Sequence, residues 1–136
     1  MAINTTPSYI KQPKTGNARF STANTNRDGS GSLSTAIWTA PAEGSRIDQI
    51  QIQATGTTTA GMVRIYLIDA SANIRAFREV KVTAITVDAT TRGFSEILRN
   101  ADGSPICYLG ASESLKFAPH AAEQFDVIAF GGDYTA

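Results

Sequence analysis

The sequence predicts an all-β, single-domain fold: a jelly-roll-like antiparallel β-sandwich of about eight strands behind an extended N-terminal arm. Three observations carry the prediction. Residues 45–55 (SRIDQIQIQAT) put Ile50, Ile52 and Ala54 on one face and Gln49, Gln51 and Gln53 on the other, the period of a strand with one wet side. Residues 62–68 (MVRIYLI) alternate Val63, Ile65 and Leu67 against Met62, Arg64, Tyr66 and Ile68, partly apolar on both faces as a central strand is. Short apolar runs then recur every eight to twelve residues or so between Gly-, Pro- and Thr-rich connections. The long connections 56–61 and 83–91 suit strands that alternate between two sheets better than an up-and-down barrel.

Taken in order, residues 1–16 carry Pro7 and Pro13 and no periodicity, which predicts an extended arm whose apolar anchors are Tyr9 and Ile10. The sandwich is then expected over 17–136, opening with a short strand near 18–22. Residues 24–32 (NTNRDGSGS) read as a turn-rich loop. They also match the start of a calcium loop, but Thr35 stands where that pattern needs a bidentate Glu, so a plain turn is the expectation and no metal is assigned. Residues 33–39 (LSTAIWT) predict a strand ended by Ala40 and Pro41, with Trp38 as a core or interface anchor.

Within 45–55, Ile47 is out of phase with Ile50 and Ile52, which predicts a bulge or crossing near Asp48. Residues 69–73 form a short polar turn, so 62–68 and 74–82 are expected to pair as a hairpin. Helical spacing of Arg75, Arg78 and Glu79 competes there, but β-branched residues favour a strand. Further strands are predicted at 93–99, 106–109, 114–118 and 125–130, with the strong turn NADGSP between the first two.

Composition narrows the function classes. At 136 residues the chain is one ordinary domain. Charged residues make up 18%, below the roughly 25% of typical soluble domains, so Thr, Ser, Asn and Gln must cover the surface. Such a surface repels neighbours little and favours a protein that lives packed against others. The net charge is zero, which offers no case for nucleic acid or acidic lipid. Residues 1–32 nevertheless hold Lys11, Lys14, Arg19 and Arg27 against Asp28 alone, a basic arm on a slightly acidic body.

With one cysteine, Cys107, neither an intrachain disulfide nor a Cys-based metal site can form, and Cys107 is read as a small buried hydrophobe. No apolar run has signal-peptide or membrane-spanning length, so a protein made and folded in a cytoplasm, without a membrane partner, is expected. The single histidine, His120, has no assigned nucleophile or carboxylate, and GxxxxGK[ST] and GxGxxG are absent. No catalytic, cofactor-binding or metal residue is assigned, and a non-enzymatic role is expected.

Several segments resemble small structural proteins of tailed bacteriophages. They are TANTNRDGSG (22–31), IWTAP (37–41), GSRI (44–47), ATGTTTAGMVRI (54–65) and VIAFGGDY (127–134), behind the Pro/Thr/Lys arm. The likeness is to capsid decoration, or cement, proteins with jelly-roll-like folds. It implies a virion protein on the outer capsid surface, made in a bacterial host, whose partners are the major capsid protein and further copies of itself, with a trimer favoured. It implies no cofactor and no catalysis. The candidate contact residues toward capsid or neighbouring subunit are Tyr9, Ile10, Lys11, Lys14 and Arg19. Two rival classes remain open. A carbohydrate- or receptor-binding sandwich would stack its ligand on Trp38, Tyr66 or Tyr108, and a jelly-roll hydrolase would need carboxylates converging in a cleft.

Overall fold

The computed structural model describes residues 12–134, and these form two packed antiparallel sheets. The strands are β1 (Gln12–Phe20), β2 (Trp38–Thr39), β3 (Ser45–Ala54), β4 (Gly61–Ile68), β5 (Ile74–Val82), β6 (Ser95–Leu98), β7 (Cys107–Leu109), β8 (Ser114–Pro119) and β9 (Phe125–Asp133). One sheet runs β1-β9-β3-β6 with β7 also on β3, and the other runs β2-β8-β4-β5.

The connectivity follows from one long folded ribbon. β1 pairs with β9, β2 with β8, β3 with β6 and β7, and β4 with β5, so the chain's first half runs antiparallel to its second. Wrapping that ribbon brings β9 against β3 and β8 against β4, which closes the two sheets of a jelly roll. β6 and β7 lie along opposite ends of β3, at Ile50–Gln53 and Ser45–Ile47, and together occupy one strand position. The nine strands therefore fill eight places.

The alternation read from the sequence sets the core. Ile47, Ile50, Ile52, Val63, Ile65, Leu115, Phe117 and Val127 point between the sheets and are fully buried. The phase break at Asp48 is a β-bulge: the β3–β9 register shifts between Ile47 and Gln49, which keeps both Ile47 and Ile50 inside. Gly131 sits beside it because a side chain there would overlap the Arg46 carbonyl. The hairpin of β4 and β5 is present, and β4 is central, between β8 and β5.

Two expectations are corrected. Residues 33–39 form a strand only at Trp38–Thr39. Upstream the backbone follows β8 with single bonds, Ser34 N–H to Phe117 O and Ile37 N–H to Leu115 O, while the Ser34 hydroxyl takes the Phe117 N–H that a ladder residue would use. Ile37 and Trp38 are then both buried although adjacent, which strand alternation does not allow. Pro13, read as barring a strand, lies inside β1, so residues 12–16 of the expected arm belong to the sandwich. β1 is an edge strand, and an edge tolerates proline wherever its nitrogen faces away from the ladder. The expected contacts Tyr9, Ile10 and Lys11 lie outside the described residues.

Candidate interaction surface

The two sheets treat their outer faces differently. On the β2-β8-β4-β5 sheet the outward row of β4 is Met62, Arg64, Tyr66 and Ile68, and the loop of residues 24–32 folds across it. Asn24 N–H donates to Pro119 O at 2.9 Å, and Tyr66 Oη donates to Asn26 O at 3.1 Å. Arg64, 3% exposed, donates from Nε to Glu79 at 2.7 Å and from Nη1 to Asn24 O at 3.3 Å. Its Nη2 lies 3.3 Å from His120 Nδ1. Arg27 reaches the same Glu79 at 3.4 Å, and these cations hold the Glu79 carboxyl below its ordinary range, chiefly through the Arg64 hydrogen bond. A groove of about 230 Å³ remains between Arg27, Tyr66, Ala76, Arg78 and Glu79, where Arg27 and Arg64 share Glu79 and Arg78 lies over the Phe77 ring.

The calcium-like residues serve the loop itself. The buried Asn24 amide nitrogen donates to the carbonyls of Ser30 and Ser32 at 3.0 and 2.8 Å, so a donor, not an oxygen ligand, faces the loop's centre. Asp28 accepts from the Ser30 N–H and hydroxyl, which depresses its carboxyl pKa.

The β1-β9-β3-β6 sheet has no such cover among the described residues. Register aligns Asn17, Ile128, Gln51 and Ile97 in one outward row, with Thr15, Phe130 and Gln49 on one side of it and Arg19, Asp126, Gln53 and Ser95 on the other. Tyr108 and Arg46 follow beyond the bulge. Ile97 is 48% and Tyr108 62% exposed, the most open large apolar side chains described, while Ile128 and Phe130 are half-buried. Charge in these rows is matched within them, whereas Arg99, exposed beside Ile97 at the edge, makes no ion pair among the described residues. Arg19 makes a two-pronged pair with Asp126 at 2.6 and 2.9 Å, and Arg46 Nε lies 3.0 Å from Asp48, without a well-aligned hydrogen bond. The result is a broad neutral face of amides, Thr and apolar side chains, the inverse of a steering surface.

Of the expected contact residues, Lys14 and Arg19 are among those described. Arg19 lies on the face, but its guanidinium is bound to Asp126. Lys14 points the other way, to the inner rim: its Nζ sits 4.7 Å over the Trp38 ring, 3.1 Å from Thr39 O and 3.4 Å from Asp133. Asp133 in turn accepts from Ser45 Oγ at 2.6 Å. Both cations are spent on their own sandwich. The outward apolar side chains of this face that sequence reasoning did not single out are Ile97, Ile128 and Phe130. Their signal was the Gln49, Gln51 and Gln53 row, which marked the wet side of β3 and hence of its neighbours.

Trp38 and Tyr66 are buried to 2% and 1% exposure, which leaves Tyr108 alone of the three proposed stacking platforms. Cys107 is half-buried against the core, and burial pushes its thiol up to about 11.

No family model matches the chain, and no curated protein matches it. Among solved structures the chain is similar to one from the structure of infectious bursal disease virus, Gt strain. Identity is 15% and the TM-score 0.33, over 96% of this chain and 36% of that one. The chain thus spans about a third of the length of that neighbour.

Proposed function

We propose that this protein is a non-enzymatic structural component of a virion, binding the outside of a bacteriophage head as a decoration protein and clamping adjacent capsid subunits. The observation that carries the reading is the asymmetry of the sandwich. One outer face is closed by the protein's own loop around Arg64, while the other has no such cover among the described residues and is rich in amides with Ile97, Ile128 and Phe130 among them. Desolvating the central rows of this face buries no unpaired charge, because Arg19 and Asp126 enter as a pair. Amide side chains interleaved with the apolar ones can hydrogen-bond a partner while the apolar ones exclude water, a mixed composition within the range of protein-binding surfaces. The segments that resemble phage decoration proteins support a capsid lattice of repeated subunits as that partner.

The same asymmetry speaks against a glycan platform, since two of its three aromatic candidates are buried, Trp38 in the core and Tyr66 beneath the loop. It asks for no catalysis, and His120 is engaged with Arg64.

The test is reconstitution. Heads of the encoding phage lacking this protein would be mixed with the purified full chain, sedimented, and assayed for bound copies. Binding in the hundreds of copies per head, with raised resistance of the heads to heat, is expected. No sedimentation with heads, or a handful of copies per virion, would overturn the assignment to the capsid surface.

A further inference from the structure

The four edges of the two sheets are not equally protected. β2 is two residues long, and β6 and β7 are short pieces. β5 is long but carries Arg75, Arg78, Glu79 and Lys81, and a register shift breaks its pairing with β4 between Ile65 and Tyr66. Each is a known way of blunting an edge. β1 has none of these protections over most of its length. It pairs with β9 through all nine residues without a shift, and its two charges, Lys14 and Arg19, are bound to Asp133 and Asp126 of β9.

Alternate backbone groups of β1 point away from β9. Tyr134 N–H donates to Gly44 O at 3.0 Å, toward the β3 side. Alternation then turns Asp133, Gly131, Ala129 and Val127 toward β1, where their partners are Gln12, Lys14, Gly16 and Ala18. The residues between, Pro13, Thr15, Asn17 and Arg19, face outward. Pro13 agrees independently, because a paired strand accepts proline only where its nitrogen leaves the ladder. Among the described residues no hydrogen bond reaches the N–H or C=O of Thr15, Asn17 or Arg19 from outside the sheet.

We infer that this edge pairs with the same edge of a second copy, antiparallel about a two-fold axis at Asn17. The register is self-matching: Thr15 faces Arg19 of the second copy, Asn17 faces Asn17, and Arg19 faces Thr15. Three outward residues per chain give about six main-chain hydrogen bonds. No like charges meet, and Pro13, which has no N–H to offer, falls at the end of the paired stretch. The contact is isologous and closes at two copies, so it makes a dimer where the phage resemblance implies a trimer. It also joins the outer faces of the two β1-β9-β3-β6 sheets into one continuous sheet surface. The inference does not rest on the capsid role.

The test uses the full chain. Sedimentation equilibrium at high micromolar concentration should give twice the 14.4 kDa chain mass. Asn17→Pro is in phase with Pro13, so it should keep the native circular dichroism yet lose the dimer, by about a hundredfold or more in dissociation constant. In a Cys107→Ser background, Asn17→Cys should cross-link to a dimer on mild oxidation, while Thr15→Cys, which faces Arg19, should not. A monomer or trimer for the parent chain, a dimer surviving Asn17→Pro, or equal cross-linking at both positions would each overturn the proposal. Exchange protection of the Thr15, Asn17 and Arg19 amides in a monomer would also overturn it, by placing residues 1–11 of the same chain on the edge.

Discussion

Arg64 and Glu79 face each other across the β4–β5 ladder, 2.7 Å apart, with the arginine side chain 4% exposed and the glutamate 36%. The pair is lopsided: a buried cation held by a carboxylate that still reaches water. Arg64 also bonds the Asn24 carbonyl, so it ties the covering loop to the sheet.

Arg64→Ala is therefore expected to lower stability by about 2 kcal/mol, since it frees a buried carbonyl and unpins the loop. Urea unfolding followed by tryptophan fluorescence would measure this. A loss below about 0.5 kcal/mol, the scale of an ordinary surface change, would mean that the loop is held elsewhere.

Substitutions on the two sides of β6 and β8 should separate stability from binding. Phe117 is fully buried and packs edge-on against Phe20, so Phe117→Ala should cost about 3–5 kcal/mol. Ile97→Asp on the open face should leave the unfolding midpoint nearly unchanged while abolishing sedimentation with phage heads. Full binding by Ile97→Asp would take that face out of the docking surface.

Acid lability follows from the turns. Asp69 and Asp88 accept backbone N–H groups of the residues just after them, and Asp28 and Asp102 accept from Ser30 and Ser104, which lowers all four carboxyl pKa values. A carboxylate whose folded pKa is depressed contributes stability above its unfolded value, about 3.9, and loses it as pH falls through the folded one. The urea midpoint should be level from about pH 7 to 5 and fall below about pH 4. The fall should shrink in Asp69→Asn, and a midpoint that declines equally in that variant would assign acid sensitivity to other groups.

Cys107 should be a poor nucleophile in the folded protein. With its thiol pushed up to about 11 by burial, iodoacetamide at neutral pH should react roughly a hundredfold more slowly than with the unfolded chain. Equal rates with and without urea would show that the β7 edge opens freely.

Alternation along the chain, by itself, determined that this is a sandwich. The inward set Ile50, Ile52, Val63, Ile65 and Phe117, the bulge at Asp48 and the hairpin of residues 62–82 all rest on a period of two, which is a property of neighbours in sequence. Pro13 and residues 33–39 were misread from the same local rules. Whether a proline fits depends on which side of its strand is paired, and whether residues 33–37 form a strand depends on who takes the Phe117 N–H. Only the tertiary structure decided those partners. It also decided that Lys14 and Arg19 are tied to Asp133 and Asp126, more than a hundred residues away, and that residues 24–32 cover the β2-β8-β4-β5 sheet and not the other. Charge counted along the chain cannot tell a paired cation from an open one, because the pairing is made by strands that meet only when β9 returns to lie between β1 and β3.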